Sequence, residues 1–418
     1  MDQNNSLLIK PGEFSEAIAD THSEPNLPRL RAYRLERVRD QLRRRDLAGC
    51  LLFDPVNIRY ATDSRNMAVW TLHYRCRYCF IATDGPVVLF DFHGCGHLSD
   101  GIETIDEVRP AVSFLYFLSG DRADERVNRF AAEIADLVRA HGGGNRRIAV
   151  DSIEPMAANA LAAAGVTVID GQETMDQARL IKSDDEILCM RAAIAVAEEG
   201  LARLGAAAEA GITENALWSI LHQVNIARGG EWIATRLLSS GPRTNPWFNE
   251  SSDRVIGRGE LVGLDTDMVG PYGYWADLSR SFHTGPSRPT DEQRRLYRLA
   301  YEQVQANMAL LKPGMGFREF AEKAWQIPGS CLANRYSCIL HGVGVADEYP
   351  VIAYKEDFDA SGYDGVFEPG MAICVESYIG EVGGAEGVKL EEQVLITEDG
   401  VECLTSFPFD ERLLPGEL

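Results

Sequence analysis

The chain has 418 residues, 45% of them hydrophobic and 25% charged, with a formal net charge of −22. This length suits two domains of a globular protein, and so acidic a surface repels phosphate backbones, which argues against a nucleic-acid partner. No apolar run is long enough to cross a bilayer, so we expect no membrane segment. The polar, acidic start lacks a secretory signal and the nine cysteines form no disulfide framework, so we expect a cytoplasmic protein.

The first half of the chain predicts strands that alternate with helices. Apolar residues recur at helical spacing from Leu30 onward. Short apolar runs predict buried strands at 50–53, 79–83, 87–90 and 147–151. A helix over 126–144 ends in glycines, as helices often do. This alternation predicts an α/β N-terminal domain that ends near residue 175.

The second half predicts longer helices that are separated by apolar strands and glycine-rich turns. One helix covers 183–210 and another begins at Thr213. A third opens with the capping pattern Thr290-Asp-Glu-Gln293 and runs to about Leu311. We therefore expect an α+β domain over 176–418, with helices on one side of a curved sheet.

The segment 259–282 gathers three acidic residues. Asp265 and Asp267 follow a short apolar strand, and in a continuing strand both side chains would share one face. A Gly-Pro-Tyr-Gly turn then returns the chain toward Asp277. Three carboxylates in an apolar hairpin repel one another unless a cation lies between them. We therefore predict a metal site here rather than a solvated acidic turn.

Three further candidate ligands lie downstream. His341 is followed by Gly342 and Gly344, which let a backbone approach its neighbours closely. Glu376 and Glu391 each lie within an apolar strand, where a carboxylate without a partner is costly. These six residues suffice for two divalent ions that share bridging carboxylates. Oxygen-rich donors with one imidazole favour iron, manganese or cobalt over a closed structural zinc site.

These segments, in this order, resemble the pita-bread superfamily of methionine aminopeptidases, prolidases and creatinases. The superfamily's ligand pattern falls here on Asp267, Asp277, His341, Glu376 and Glu391. The stretch RLERVRDQLRRRDLAGCLLFDPVNIRYATD is similar to the start of a creatinase-type N-terminal domain, and PGMAICVES and GVKLEEQVLIT are similar to the last two ligand strands. The resemblance implies a creatinase-like α/β domain over 1–175 and a pita-bread α+β domain over 176–418, whose curved antiparallel sheet is flanked by helices.

The chain departs from the superfamily's peptidases at three places. Trp247 and Phe248 lie roughly where those peptidases have one substrate-side histidine, and Asp347 replaces the other. Asp265 is an added acid, because the superfamily has Asp-x-Gly where this chain has Asp265-Thr-Asp267. Within the superfamily this combination resembles the dimethylsulfoniopropionate lyases of the DddP type, which release dimethyl sulfide and acrylate.

The resemblance implies a carbon–sulfur lyase that acts on this small molecule by β-elimination. Two divalent ions, iron ahead of manganese, cobalt or zinc, would bind the substrate carboxylate while Asp347 takes the neighbouring proton. An aromatic ring would hold the sulfonium by cation–π attraction, although core packing is the commoner use of such rings. The candidate rings, in order of preference, are Tyr336, Trp247, Phe248 and Trp275.

Two other functions stay open on the sequence. One is a prolidase-like Xaa-Pro metallopeptidase with a rearranged site, and the other is a non-catalytic binding protein that kept the fold. The two missing histidines argue against the peptidase, and the complete ligand set argues against the binding protein. Creatinase-type relatives are usually homodimers, so the resemblance also implies a homodimer.

Overall fold

The computed structural model describes residues 24–414, which cluster into two compact units, Pro25–Asp185 and the residues from Glu186 onward. The predicted boundary near residue 175 lies somewhat earlier in the chain than this division and stays a prediction. The predicted irregular N-terminal segment lies, as far as residue 23, outside the described residues. Within the described range, no helix combines the length and the apolar character that a membrane crossing requires.

The first unit is built around a six-stranded mixed sheet. Its strands are β1 (Gly49–Leu52), β2 (Tyr78–Ala82), β3 (Val87–Asp91), β4 (Glu107–Pro110), β5 (Arg147–Val150) and β6 (Thr167–Asp170). Its helices are α1 (Leu27–Arg44), α2 (Pro55–Thr62), α3 (Ala68–His73), α4 (Tyr116–Ser119), α5 (Ala123–His141), α6 (Pro155–Ala163) and α7 (Gln172–Arg179). The strand order is β4-β3-β2-β1-β5-β6. The predicted α/β architecture is confirmed.

The first unit's sheet is covered by helices, which explains its continuous apolar strands. Every residue of β1, β2 and β3 is buried. Helix α5 carries Phe130, Ile134 and Val138 four residues apart, on one face of the helix. These side chains share a core cluster with Phe80 of β2 and Leu161 of α6. The apolar residues at helical spacing in α5 and the apolar residues of strand β2 therefore pack in one hydrophobic core.

The second unit contains antiparallel sheets packed with helices. Its strands are β7 (Trp232–Ile233), β8 (Leu238–Ser240), β9 (Leu261–Asp265), β10 (Met268–Val269), β11 (Trp275–Ala276), β12 (Ser279–His283), β13 (Leu340–Val343), β14 (Asp347–Ile352), β15 (Ala372–Gly380), β16 (Gly387–Ile396) and β17 (Val401–Cys403). Its helices are α8 (Asp184–Ala207), which starts at the division between the units, α9 (Glu214–Ala227), α10 (Asp291–Leu310), α11 (Phe317–Lys323) and α12 (Phe358–Ser361). The sheet orders are β14-β13-β15-β16-β17, β12-β9-β8 and β11-β10-β7.

Helix α10 fixes which side of the large sheet carries the candidate site. The predicted capping box is present, because Thr290 and Gln293 exchange side-chain and backbone hydrogen bonds at the start of α10. The helix packs on β15 and β16, where Ser377 Oγ donates to Gln303 Oε1 at 2.8 Å. Since side chains alternate along a strand, the neighbouring Glu376 faces the opposite side of the sheet.

The glycines around His341 allow two backbones to pack closely. Strands β13 and β14 pair with a register shift between His341 and Gly342. A Cβ atom on Gly342 would lie 2.4 Å from the carbonyl oxygen of Tyr349, so a larger residue would separate the strands. The predicted close approach of the backbone at this point is confirmed.

One predicted detail of the acidic hairpin is wrong. Strand β9 ends at Asp265, and Asp267 lies outside any strand with a left-handed backbone (φ 36°). The two carboxylates therefore do not share one face of a continuous strand. Aspartate tolerates this conformation better than most residues, so the chain can turn here and restart as β10. Strand β12 still pairs with β9, with Ser279 opposite Asp265, so the hairpin itself is present.

Candidate metal centre

Strand pairing brings the later candidate ligands to one place. Glu376 on β15 lies directly opposite Glu391 on β16, and His341 on β13 lies opposite Cys374 on β15. Cys374 and Glu376 are two residues apart, so their side chains point to the same face. The sheet therefore presents an imidazole, a thiol and two carboxylates side by side.

His341 lies within reach of three buried carboxylates. Its Nε2 atom is 3.3 Å from Glu376 Oε1 and 3.7 Å from both Asp277 Oδ2 and Glu391 Oε1. The carboxylates of Asp277, Glu376 and Glu391 are almost completely buried. An imidazole beside several carboxylate oxygens is a donor set that suits iron, manganese or cobalt.

The candidate ligands form three overlapping groups. Within each group, the donor atoms lie within 4.8 Å of one another. The groups are Asp277, His341, Cys374 and Glu391; Asp265, Asp267 and Asp277; and Asp265, Glu376 and Glu391. All six sequence-predicted ligands therefore come together.

Two buried oxygen atoms in these groups lack a hydrogen-bond partner in the described structure. Asp277 Oδ1 and Glu391 Oε1 have no hydrogen-bond partner among the residues that the structure describes. Buried carboxylate oxygens are normally satisfied, and divalent cations satisfy them well. The residues therefore fit a metal centre.

Lys389 is a central member of this cluster, and the sequence reasoning did not single it out. Its fully buried Nζ atom is 2.6 Å from Glu376 Oε2 and 3.1 Å from both Asp265 Oδ2 and Glu391 Oε2. It also donates to Ser279 Oγ at 2.7 Å. Ser279 Oγ in turn lies within hydrogen-bond distance of Asp265 and Glu391. Lys389 is two residues before Glu391 in β16, and this strand period is the signal that could have revealed it.

Burial perturbs the acids and bases of the cluster strongly. It raises the pKa of Asp265 and Asp277 well above the usual range, and it raises the pKa of Asp267 to about 7. Burial alone would lower the pKa of His341 and of Lys389, but the surrounding carboxylates outweigh it and raise both. Without a further cation, these three aspartates favour binding protons, because desolvation and the repulsion from neighbouring carboxylates oppose their ionisation.

Asp347 differs from the buried ligands because it reaches solvent. It lies at the start of β14 with its side chain 61% exposed, and its Oδ1 atom is 3.5 Å from His341 Nδ1. Partial desolvation raises the pKa of this carboxyl above its usual value, although His341 opposes the shift. A carboxylate with a raised pKa, open to solvent and beside a metal ligand, is a suitable proton acceptor.

Three of the four predicted substrate-binding aromatics cluster near Lys389. The Lys389 Nζ atom lies 4.6 Å from the ring centroid of Tyr336 and 6.0 Å from that of Trp247. Phe248 stacks on Tyr336 at 5.3 Å and is 55% exposed. Trp275 is buried and has no ring contact with the other three in the described structure. Phe248 and Tyr336 therefore form the aromatic surface nearest to the acidic cluster that a ligand can reach.

Family models match both halves of the chain. The model for metallopeptidase family M24 matches residues 188–398, and the creatinase/prolidase N-terminal domain matches residues 34–181. Together with the antiparallel sheets of the second unit and the acidic cluster, these matches define the class: a metallopeptidase-family fold with a creatinase-type N-terminal domain.

Two curated relatives match almost the whole chain. The chain is 41% identical to the dimethylsulfoniopropionate lyase DddP of Roseovarius nubinhibens, over 99% of this chain and 94% of that protein. It is 40% identical to the DddP of Roseobacter denitrificans, over 99% of this chain and 95% of that protein. The chain therefore belongs to the DddP family within the M24 class, as its sequence pattern predicts.

Solved structures confirm the fold at lower identity. An Xaa-Pro dipeptidase from Bacillus anthracis matches with a TM-score of 0.71 at 22% identity, covering 91% of this chain and 98% of that one. The prolidase from Pyrococcus horikoshii matches with a TM-score of 0.72 at 19% identity, covering 90% of this chain and 99% of that one. At these identities the likeness concerns the fold alone.

Proposed function

We propose that this protein is a metal-dependent lyase that cleaves dimethylsulfoniopropionate into dimethyl sulfide and acrylate. The observation that carries the proposal is the 41% identity to a dimethylsulfoniopropionate lyase over 99% of the chain. The acidic cluster, with Asp347 at its solvent side, supplies groups that suit this chemistry. The predicted homodimer and cytoplasmic location remain predictions from the sequence.

The proposed metal ligands are the six residues that the sequence singles out: Asp265, Asp267, Asp277, His341, Glu376 and Glu391. Two divalent ions would fit this set, because the group Asp265, Asp267 and Asp277 shares Asp277 with the group that contains His341 and Glu391. Iron is the preferred metal, with manganese, cobalt and zinc as alternatives, because the donors are mainly oxygen with one imidazole. When bound, the ions would neutralise the substrate carboxylate and stabilise the enolate-like charge that develops on it.

Asp347 is the proposed base. Its carboxylate takes the proton from the carbon next to the substrate carboxylate, and the electron pair of that C–H bond forms the C=C bond of acrylate. The C–S bond breaks at the same time, and its electron pair leaves with the sulfur as neutral dimethyl sulfide. No acid has to protonate the leaving group, and exposed Asp347 can return its proton to water.

Tyr336 and Phe248 are the proposed sulfonium-binding rings. A cation over an aromatic face gains about 0.5–2 kcal/mol. Tyr336 lies beside the acidic cluster, with its ring centroid 4.6 Å from the Lys389 ammonium. Phe248 adds an exposed face beside it. Trp247 and Trp275 are buried and are weaker candidates for direct contact.

The proposal is tested on the purified protein by headspace gas chromatography for dimethyl sulfide and by liquid chromatography for acrylate and proline. The protein is loaded anaerobically with Fe²⁺ and given dimethylsulfoniopropionate in one vial and the dipeptide Gly-Pro in another. We expect equal amounts of dimethyl sulfide and acrylate in the first vial and no free proline in the second. If protein with a verified metal content releases free proline but no dimethyl sulfide, the lyase proposal is wrong and the prolidase-like peptidase takes its place.

A further inference from the structure

We propose that Lys389 is a permanent cation of the metal centre and fills the position between Asp265, Glu376 and Glu391 that a third metal ion could otherwise occupy. This inference rests on the two-metal centre of the proposed function, but not on the identity of the substrate. The inference concerns only the donor group of Asp265, Glu376 and Glu391. The other two groups remain available for the two divalent ions.

The first support is geometric. The three carboxylates of this group lie close enough together to share one cation. Lys389 Nζ is already within 3.1 Å of one oxygen atom of each of them. Ser279 Oγ is a fourth oxygen around the same nitrogen, at 2.7 Å. The ammonium therefore has an oxygen-rich surrounding of the kind that a hard cation takes.

The second support is how the oxygen atoms divide between two cation positions. Glu376 and Glu391 turn their Oε2 atoms to Lys389 and their Oε1 atoms to His341. Each glutamate thus connects the Lys389 position to the His341 position. Because a carboxylate oxygen has two lone pairs, binding Lys389 does not prevent these residues from binding a metal ion as well.

The third support is charge. The cluster contains five buried carboxylates, those of Asp265, Asp267, Asp277, Glu376 and Glu391. Two divalent ions neutralise four of these charges and leave one. Lys389 has no exposed surface and supplies the remaining positive charge. A buried charge without compensation is strongly unfavourable, so the lysine makes the fifth carboxylate tolerable.

The test is a double-mutant cycle on the full-length protein, with Lys389→Met, Asp265→Asn and the double variant. Thermal unfolding is measured in a chelator, where metal binding cannot contribute. We expect Lys389→Met to lower the melting temperature by about 5–10 °C and Asp265→Asn to recover most of this loss in the double variant. If Lys389→Met does not fold but the double variant does, this result also supports the proposal.

A metal count is the second readout. Metal-loaded Lys389→Met is compared with the wild type by inductively coupled plasma mass spectrometry after gel filtration. We expect two ions per chain in the wild type and an additional ion in the variant. The proposal is overturned if Lys389→Met neither changes the ion count nor lowers the melting temperature. It is also overturned if the double variant melts as low as Lys389→Met alone. Because neither readout uses substrate, a wild type with two ions but no lyase activity would contradict only the proposed function.

Discussion

The two faces of strand β16 carry two buried ionic clusters that differ in charge balance. On one face Glu392 pairs with Arg280 at 2.8 Å and accepts a hydrogen bond from Thr405. Arg280 also lies 4.4 Å from the ring centroid of Phe409. On the other face Glu391 belongs to a cluster of five carboxylates with one lysine and one histidine.

The difference separates a neutralised ion pair from a cluster with an excess of carboxylates. One arginine neutralises one glutamate on the Glu392 side, so that side needs no further cation. On the Glu391 side negative charge remains, and one oxygen atom each of Asp277 and Glu391 has no hydrogen-bond partner in the described part of the chain. Burial alone does not distinguish the two faces, since Glu391 and Glu392 are both buried. The excess of carboxylates is what distinguishes the candidate metal centre.

The largest effect is expected from Glu391→Gln. The substitution keeps the size of the side chain but removes a charge from two of the three donor groups. We expect the bound metal to fall clearly below the wild-type content and the release of dimethyl sulfide to disappear. Metal analysis and the headspace assay check both. Glu392→Gln, on the opposite face of the same strand, is the matched control and should retain its metal. Equal metal loss in both variants would remove the distinction between the faces.

Asp347→Asn should cause the next largest loss. The amide cannot accept the substrate proton, so kcat should fall by about 10²–10⁴-fold, the usual contribution of a general base. Metal content should not change, because Asp347 belongs to none of the three donor groups. Asp399→Asn, at another exposed acid, is the control. A variant of Asp347 with wild-type kcat would show that another group is the base.

Removing the aromatic rings should have a moderate effect on binding. Tyr336→Leu and Phe248→Leu are each expected to weaken the binding of dimethylsulfoniopropionate by about 0.5–2 kcal/mol, or about 2- to 30-fold in KM. The neutral thioether 3-(methylsulfanyl)propionate has the carboxylate but no sulfonium, so its inhibition constant should change little. If both ligands weaken equally, the rings shape the pocket rather than recognise the positive charge.

The smallest effect on activity is expected from Glu392→Gln. It leaves Arg280 buried without a charged partner, and breaking a buried ion pair in this way costs about 3–5 kcal/mol of stability. The urea midpoint should therefore fall while kcat remains at the wild-type value. A fall in kcat at constant stability would mean that the Arg280 cluster takes part in the metal centre after all.

Much of the fold and of the candidate ligand set could be predicted from the sequence. Apolar residues at helical spacing, preceded by Thr213 or Thr290 at the helix start, predict helices that the structure confirms. Short apolar runs predict strands of the first unit that are also present. Glu376 and Glu391 were recognisable because an apolar strand rarely contains a carboxylate without a partner, and Asp277 because the turn returns the chain toward two other acids.

Other features depend on how the strands come together in three dimensions. The backbone reversal at Asp267 requires a left-handed conformation that aspartate tolerates but does not impose. The strand period places Lys389 on the same face as Glu391, but it does not show which other residues surround the lysine. Its role becomes visible only when β9, β15 and β16 bring three carboxylates to its ammonium.

The most direct test of the metal-dependent lyase follows metal content and dimethyl sulfide release in the same wild-type samples. Metal is removed by a chelator and then restored stepwise with Fe²⁺ under anaerobic conditions. We predict that release disappears with the metal and returns in proportion to it, reaching its maximum at two ions per chain. Undiminished release from protein without metal, or no release at full metal content, would contradict the metal-dependent elimination.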